Sequence, residues 1–299
     1  MQTTKKLPFI GASCAVITPF LPNGGIDTDS FRKIVDYQIK NKTSALTVLG
    51  TTGEAPTVSD REHHALLSLA VKEANGRIPV IGGCGSNDTL HATYLAESAE
   101  AAGCDALLVI TPYYNLASGE GLIRHFEAIA RAVSIPIILY NVPKRTGMSI
   151  PFEVYRELSK IENVVAVKDA SGDFSMATRI ISELGDSMYL YSGNDELTLP
   201  LMSVGARGVI SVASNILPSE MSALCSFCSD GKSESARELH QKLSPLFGML
   251  SCEVNPIPVK YAASLIGLCN AYYRLPLCPP TDADAEYIKS CLINYGFDA

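Results

Sequence analysis

Short apolar segments recur along the chain, and each is followed by a stretch in which apolar residues return with helical spacing. Apolar runs without polar alternation are typical of strands that are buried on both faces, as in a parallel sheet covered by helices. The pattern predicts eight such strands, at residues 13–18, 45–49, 79–83, 106–110, 136–140, 164–168, 188–191 and 208–212.

Helices are predicted between these strands, at residues 28–40, 60–74, 89–102, 119–133 and 151–160. Ser59 followed by Glu62 makes a capping box at the start of the second of these helices. The pairs Asn75-Gly76 and Ala102-Gly103 are typical of helix C-caps. Periodicity and end signals therefore agree on the same elements.

Eight strand–helix units in one chain favour a (β/α)8 TIM barrel, of the α/β class, over an open doubly wound sheet, which more often has fewer strands. The strand pattern stops near residue 217, and residues 233–250, 256–268 and 282–294 predict three further helices. We therefore expect a catalytic barrel domain over residues 1–231 and a C-terminal helical extension over residues 232–299.

Composition narrows the function further. The 299 residues are 47% hydrophobic and 18% charged, as in an ordinary globular protein, and the net charge is -7. Nucleic acids and anionic membranes bind basic patches, so this charge argues against both as partners and leaves small molecules as the expected ones.

The start of the chain and its cysteines indicate a cytoplasmic protein. Met1 to Lys6 is polar, with no apolar run of signal-peptide or membrane-span length behind it. Nine cysteines are scattered through apolar or helical stretches, which argues against a disulfide framework. Cys225 and Cys228 form a solitary CxxC without a second ligand pair, so we interpret them as two buried thiols on a helix and expect no metal.

Functional residues of a barrel collect at the C-terminal ends of its strands, and Lys168 closes the run 164–167. Its stem would enter the barrel mouth between apolar walls, where burial disfavours the ammonium form and favours the neutral amine that attacks ketones. A lone lysine at a strand end is more often salt-bridged or solvated. The residues at the neighbouring strand ends favour the catalytic interpretation over these two.

Three neighbouring strand ends supply these residues. Tyr140 closes the preceding strand and offers a phenol for proton transfer. Thr51 and Thr52 lie in a glycine-flanked turn suited to holding a carboxylate. Arg145, on a loop stiffened by proline, offers a fork for a second carboxylate. This set of residues is suited to forming a carbon–carbon bond between two keto or aldehyde acids through a Schiff-base intermediate.

Three sequence segments resemble signatures of the pyruvate-dependent class I aldolase family that contains dihydrodipicolinate synthase and N-acetylneuraminate lyase. They are Gly50-Thr51-Thr52-Gly53-Glu54, Tyr140-Asn141-Val142-Pro143 and Lys168-Asp169. The similarity continues over nearly the whole chain, through Ser192-Gly193-Asn194-Asp195, 208–212 and 255–260. The condensing synthases resemble the chain best, because the lyases usually carry Ser-Thr at 51–52 and lack an arginine at 145.

This resemblance implies roles for individual residues, without a cofactor. Lys168 would form the imine with pyruvate, and Thr52 would hold the pyruvate carboxylate. Arg145 would bind aspartate semialdehyde, as the second substrate of a reaction in lysine and diaminopimelate biosynthesis. Backbone carbonyls of Gly193 and Ile210 would line the site. The proton relay would consist of Tyr140, Thr51 and Tyr114.

Tyr114 is expected to come from the adjoining subunit, which implies a homodimer or a homotetramer built as a dimer of dimers. Asn194 stands where many synthases have a second aspartate, which changes contacts to the semialdehyde.

The positions of a lysine feedback site also depart from the family pattern: His91 replaces a glutamate, although Asp60 brings a carboxylate nearby. We therefore expect weak or no inhibition by lysine. The residues at these positions are Ala55, Pro56, Asp60, His63, Asn87, His91 and Tyr113.

Two other functions stay open at this stage. Another aldolase of the family, cleaving a sialic acid or a 2-keto-3-deoxy sugar acid, would share Lys168 and Tyr140 but would need hydroxyl partners in place of Arg145. A non-catalytic barrel that binds a keto acid would form no covalent adduct with pyruvate.

Overall fold

A computed structural model describes residues 5–298, so the four residues at the start of the polar N-terminus lie outside it. Its eight parallel strands close into a barrel in sequence order. This (β/α)8 architecture confirms the predicted fold class. The strands are β1 Gly11–Ala15, β2 Ala45–Val48, β3 Val80–Gly83, β4 Ala106–Ile110, β5 Ile137–Asn141, β6 Val164–Asp169, β7 Tyr189–Ser192 and β8 Gly208–Ser211.

Helices surround the barrel, and the capping box of Ser59 and Glu62 forms as predicted. Asn75 ends the same helix in the left-handed conformation. The helices are α1 Thr28–Lys40, α2 Asp60–Ala74, α3 Thr89–Ala101, α4 Gly119–Ala132, α5 Pro143–Thr146, α6 Phe152–Leu158, α7 Phe174–Leu184, α8 Thr198–Ser203, α9 Pro218–Ser229, α10 Ser233–Met249, α11 Ile257–Leu265 and α12 Asp282–Tyr295.

The first strand differs from its prediction by beginning two residues earlier and ending at Ala15. Gly11 pairs with Gly208 of β8, which extends the strand backwards. Beyond Ala15, the backbone N–H of Ile17 donates to Oδ1 of Asn215 at 3.0 Å instead of continuing the ladder. A side chain that follows β8, the neighbouring strand in the closed barrel, therefore ends β1.

Two apolar clusters fill the molecule. One lies inside the barrel and includes Phe9, Ile138, Val165 and Tyr191, with the rings of Phe9 and Tyr191 stacked at 4.3 Å. The other lies between the strands and the helices and continues into α10, α11 and α12. The three C-terminal helices thus share the barrel's outer core.

Within residues 5–298, no helix is long and apolar enough to cross a membrane. The same residues contain no group of three or more histidine, cysteine or acidic side chains that could hold a metal ion. Cys225 is buried on α9, but Cys228 is only half-buried, so the expectation of two buried thiols was correct for one of them.

Candidate active site

Lys168 and Tyr140 lie side by side at the C-terminal mouth of the barrel. The two residues are direct partners in the β5–β6 ladder. Their side chains are 5% and 6% exposed, and Nζ of Lys168 lies 4.2 Å from the centre of the Tyr140 ring. Strand register alone therefore places an amine and a phenol within reach of one small substrate.

The next pair along the β5–β6 ladder, Asn141 and Asp169, stabilises this register through side-chain hydrogen bonds. Nδ2 of Asn141 donates to Oδ1 of Asp169 at 2.9 Å, and Oγ of Ser171 donates to Oδ2 at 2.8 Å. Oδ1 of Asn141 accepts from the N–H of Ile150 at 3.1 Å. Burial raises the pKa of Asp169. Sequence reasoning quoted both residues in signature segments but gave neither a role.

Thr51 and Thr52 lie on a single turn of 3₁₀ helix, Thr51–Gly53, directly after β2. The Thr52 side chain is buried, and its Oγ1 accepts a 3.0 Å hydrogen bond from Nδ2 of Asn255. Oγ1 of Thr18 donates to the carbonyl of Gly53 at 2.6 Å. Contacts from both ends of the chain hold the turn in place.

Arg145 lies on α5, a one-turn helix that begins at Pro143 and ends at Gly147 in the left-handed conformation. The guanidinium is exposed, and its Nη2 donates to the carbonyl of Asn255 at 2.9 Å. Asn255 therefore contacts both Thr52 and Arg145. Sequence reasoning missed this connection, although the segment 255–260 was part of the family resemblance.

Gly193 and Ile210 lie at the ends of β7 and β8. A Cβ on Gly193 would lie 2.7 Å from Cβ of Ala170 and 2.9 Å from the carbonyl of Asp169, so only glycine fits at this close approach. Asp195 links the two strand ends, because its Oδ2 accepts from the N–H groups of Val212 and Ala213 at 3.0 and 2.8 Å. Asn194 is half-buried beside it.

A cavity of about 370 Å³ opens near the barrel mouth, and its lining does not include Lys168, Thr52, Gly193 or Ile210. Thr51, Tyr140 and Arg145 line it, so three residues predicted from separate strand ends meet at one space. The same cavity is lined by most of the residues at the expected feedback site, namely Ala55, Pro56, Asp60, His63, His91 and Tyr113.

The feedback positions make few contacts that a free amino group could use. Nε2 of His91 lies 2.9 Å from Oδ1 of Asp60, the one carboxylate among the described residues that line the cavity. His63 is buried with Nε2 2.8 Å from the carbonyl of Gly83, and burial lowers its pKa. The carbonyl of Asn87 accepts from Nδ2 of Asn115 at 2.9 Å.

Tyr114 does not line this cavity within its own chain. Its side chain is 90% exposed, and its backbone has a φ of 75°. Leu116, Leu90 and Tyr94 are also exposed, at 57%, 80% and 50%. The tyrosine that was expected to complete a neighbouring site is therefore accessible to a second molecule.

Comparison with known proteins gives one consistent result. A model of the dihydrodipicolinate synthetase family matches residues 8–294. The 4-hydroxy-tetrahydrodipicolinate synthase of Bacillus subtilis is 46% identical over 285 residues, covering 95% of this chain and 98% of the relative.

Solved structures agree with the sequence comparison. The dihydrodipicolinate synthase of Acinetobacter baumannii, described as complexed with pyruvate, is 41% identical with a TM-score of 0.94, covering 96% of this chain and 99% of that one. The synthase of Cyanidioschyzon merolae, described with lysine bound, is 34% identical with a TM-score of 0.94, covering 97% and 99%.

Proposed function

The chain belongs to the dihydrodipicolinate synthetase family, and from this premise we infer that it catalyses the 4-hydroxy-tetrahydrodipicolinate synthase reaction, the condensation of pyruvate with L-aspartate 4-semialdehyde. It is an enzyme of the class I aldolase type, which supplies lysine and diaminopimelate biosynthesis. The buried amine of Lys168 against the ring of Tyr140 is the observation that carries the mechanism.

The first half of the proposed mechanism activates pyruvate. Nζ of Lys168 attacks C2 of pyruvate, the keto oxygen takes up protons and leaves as water, and an imine remains. Loss of a C3 proton then gives a nucleophilic enamine. The protonated imine itself withdraws the electrons, so the proposal includes no cofactor or metal.

Residues around Lys168 have separate roles in this step. Thr52 and the N–H groups of its turn hold the pyruvate carboxylate, and the carbonyls of Gly193 and Ile210 face the substrate from the opposite strands. Tyr140, Thr51 and Tyr114 carry protons to and from the departing oxygen. The burial of Lys168 and Tyr140 supports these assignments, since both reacting groups lie away from bulk water.

The second half joins the two substrates. The enamine carbon attacks the aldehyde carbon of the semialdehyde, whose oxygen becomes the product hydroxyl. The amino group of the semialdehyde then attacks the imine carbon, which closes the ring and releases the Lys168 amine. Arg145 binds the semialdehyde carboxylate with its exposed guanidinium, at the edge of the cavity. One water is lost overall.

We further propose a homodimer or dimer of dimers in the cytoplasm. The side chain of Tyr114 is 90% exposed, and a second copy of the chain would cover it while Tyr114 inserts into the site of that copy. In this arrangement each site is complete only in the assembly.

Reductive trapping tests the chemistry directly. Borohydride added with pyruvate should increase the protein mass by one reduced adduct, on the peptide that contains Lys168. Lys168→Ala should abolish the adduct, while Lys144→Ala, a change to an exposed neighbour of Arg145, should retain it. An unchanged mass of the wild-type protein would instead support a barrel that only binds a keto acid.

A further inference from the structure

Glu54 and Lys260 form an ion pair that is fully removed from water, with both side chains 0% exposed. Lys260 lies on α11, in the C-terminal extension, and Glu54 directly follows the Thr51–Gly53 turn. Besides the carboxylate, Nζ of Lys260 donates to the carbonyl of Tyr272 at 3.0 Å. This second buried lysine has no part in the proposed mechanism.

Aromatic rings enclose the buried ammonium. Nζ of Lys260 lies 4.4 Å from the ring centre of Phe20 and 5.0 Å from that of Tyr273. Rings at such distances stabilise a cation through their π faces. The backbone N–H of Arg274 completes the surroundings with a 3.4 Å contact to Oε2 of Glu54.

The pair acts on a turn that is held from several sides. Glu54 has a φ of 55°, and its N–H donates to the carbonyl of Thr51 at 3.1 Å, so its backbone closes the turn. Its carbonyl accepts from Oγ1 of Thr57 at 3.0 Å. With the Thr52–Asn255 hydrogen bond, the extension therefore contacts the turn at two points, on Thr52 and on Glu54.

We propose that Lys260 and Glu54 are positioning residues that fix the Thr51–Thr52 turn for binding the pyruvate carboxylate, so that the C-terminal extension is part of the catalytic apparatus. A buried ion pair is a costly means of packing two elements, because hydrophobic residues of similar volume often do so equally well. Its rigid geometry, however, fixes a backbone that must bind an anion. This inference rests on the proposed function, because it assigns pyruvate to that turn.

The test is the double variant Glu54→Gln/Lys260→Met, which removes both charges together and leaves no unpaired charge in the core. The half-saturating pyruvate concentration for borohydride trapping, and the KM for pyruvate, should rise about tenfold. The kcat should change less than about threefold, because Lys168 and Tyr140 are untouched. The adduct at saturating pyruvate and the pH profile of kcat should match the wild type.

A matched control is Glu157→Gln/Lys160→Met, which removes an exposed ion pair at the end of α6 and should leave the KM unchanged. If the double variant of the buried pair fails to fold, Glu54→Asp keeps both charges, so that no unpaired charge is left in the core, and draws the carboxylate back by one methylene. It should raise the KM for pyruvate about threefold.

The proposal is overturned if the KM stays within twofold of the wild type, even where the melting temperature falls, since the pair is then structural only. It is also overturned if kcat and trapping at saturation decrease together with no change in half-saturation. Absence of an adduct on the wild-type protein would refute the proposed function itself, and with it this assignment.

Discussion

Two buried lysines show how neighbours decide the chemistry of a residue. Nζ of Lys260 donates to the Glu54 carboxylate and to the carbonyl of Tyr272. Burial lowers the pKa of Lys260, but these two acceptors hold its amine in place. Lys168 faces the ring of Tyr140, and within residues 5–298 no acidic side chain forms an ion pair with it. The amine without a carboxylate partner is the one that can attack a ketone.

Arg145 is the residue that we expect to separate condensation with a semialdehyde from cleavage of a sugar acid. Arg145→Ala should lower kcat/KM for aspartate semialdehyde by about 10- to 100-fold, because a charge-assisted hydrogen bond is worth about 1.5–3 kcal/mol. Pyruvate trapping should continue, since Lys168 is unaffected. Steady-state kinetics over both substrates and a panel of sugar acids measure the effect.

Lys144→Ala is the control for this substitution, because it removes an adjacent exposed charge from the same short helix. Equal losses in the two variants would show that Arg145 acts through general electrostatics and not through a specific contact.

At the scale of elements, single side chains tie neighbouring helices and strands together. Asn141 and Asp169 join β5 to β6 beyond the reacting pair. On the outside of the barrel, Nδ1 of His125 on α4 lies 2.9 Å from Oγ1 of Thr89 at the start of α3. Nε2 of His125 is buried and has no hydrogen-bond partner among residues 5–298. These contacts hold β5 against β6 and α3 against α4.

His125 predicts a specific acid sensitivity. Burial lowers its pKa from 6.5 to about 4, so between these values the unfolded chain binds a proton that the folded chain does not. The associated stability is therefore present above pH 6.5 and lost as the pH falls towards 4. The loss between pH 7.5 and 5 should be on the order of 2 kcal/mol.

Urea unfolding of the wild type and of His125→Gln at both pH values measures this contribution. The variant should lose about 2 kcal/mol less than the wild type between them. His64→Gln, which changes an exposed histidine on α2, should show the wild-type difference. A wild-type pH dependence in His125→Gln would disprove the assignment.

At the scale of the whole molecule, the proposed site would depend on a second copy of the chain. The exposed Tyr114 marks the surface at which we propose that two copies meet. One twofold axis would place each tyrosine in the partner's cavity.

Hybrid dimers test that exchange. Co-expression of Tyr114→Phe with Lys168→Ala should restore activity to about a quarter of the wild type, because half of the randomly formed dimers then contain one intact site. Co-expression of Tyr140→Phe with Lys168→Ala should restore none, since both residues belong to one chain. Equal recovery in the two mixtures would place Tyr114 in its own subunit's site.

The response to lysine is a second prediction at the scale of the whole molecule. His91 replaces the expected glutamate and contacts Asp60, so the cavity offers a lysine ammonium little negative charge. Submillimolar lysine should therefore leave the initial rate unchanged, and His91→Glu should make the enzyme more sensitive. Inhibition of the wild type in a submillimolar titration would contradict this expectation.

The sequence by itself determined the elements of this protein. Apolar runs, helical spacing and cap residues act over a few neighbours, and they located all eight strands and the end of α2. They also placed Lys168 and Tyr140 at the ends of adjacent strands, where the barrel brings them together. Local physical chemistry is sufficient for such features because each depends on residues close in the chain.

Only the tertiary structure decided which distant side chains meet. Asn255 reaches Thr52 across 203 positions, Lys260 reaches Glu54 across 206, and Asn215 ends β1 from 198 positions away. None of these contacts produces a periodic pattern in the sequence, because a hydrogen bond or an ion pair constrains only two residues. The contacts of the C-terminal extension with the Thr51–Thr52 turn could therefore be found only in the folded structure.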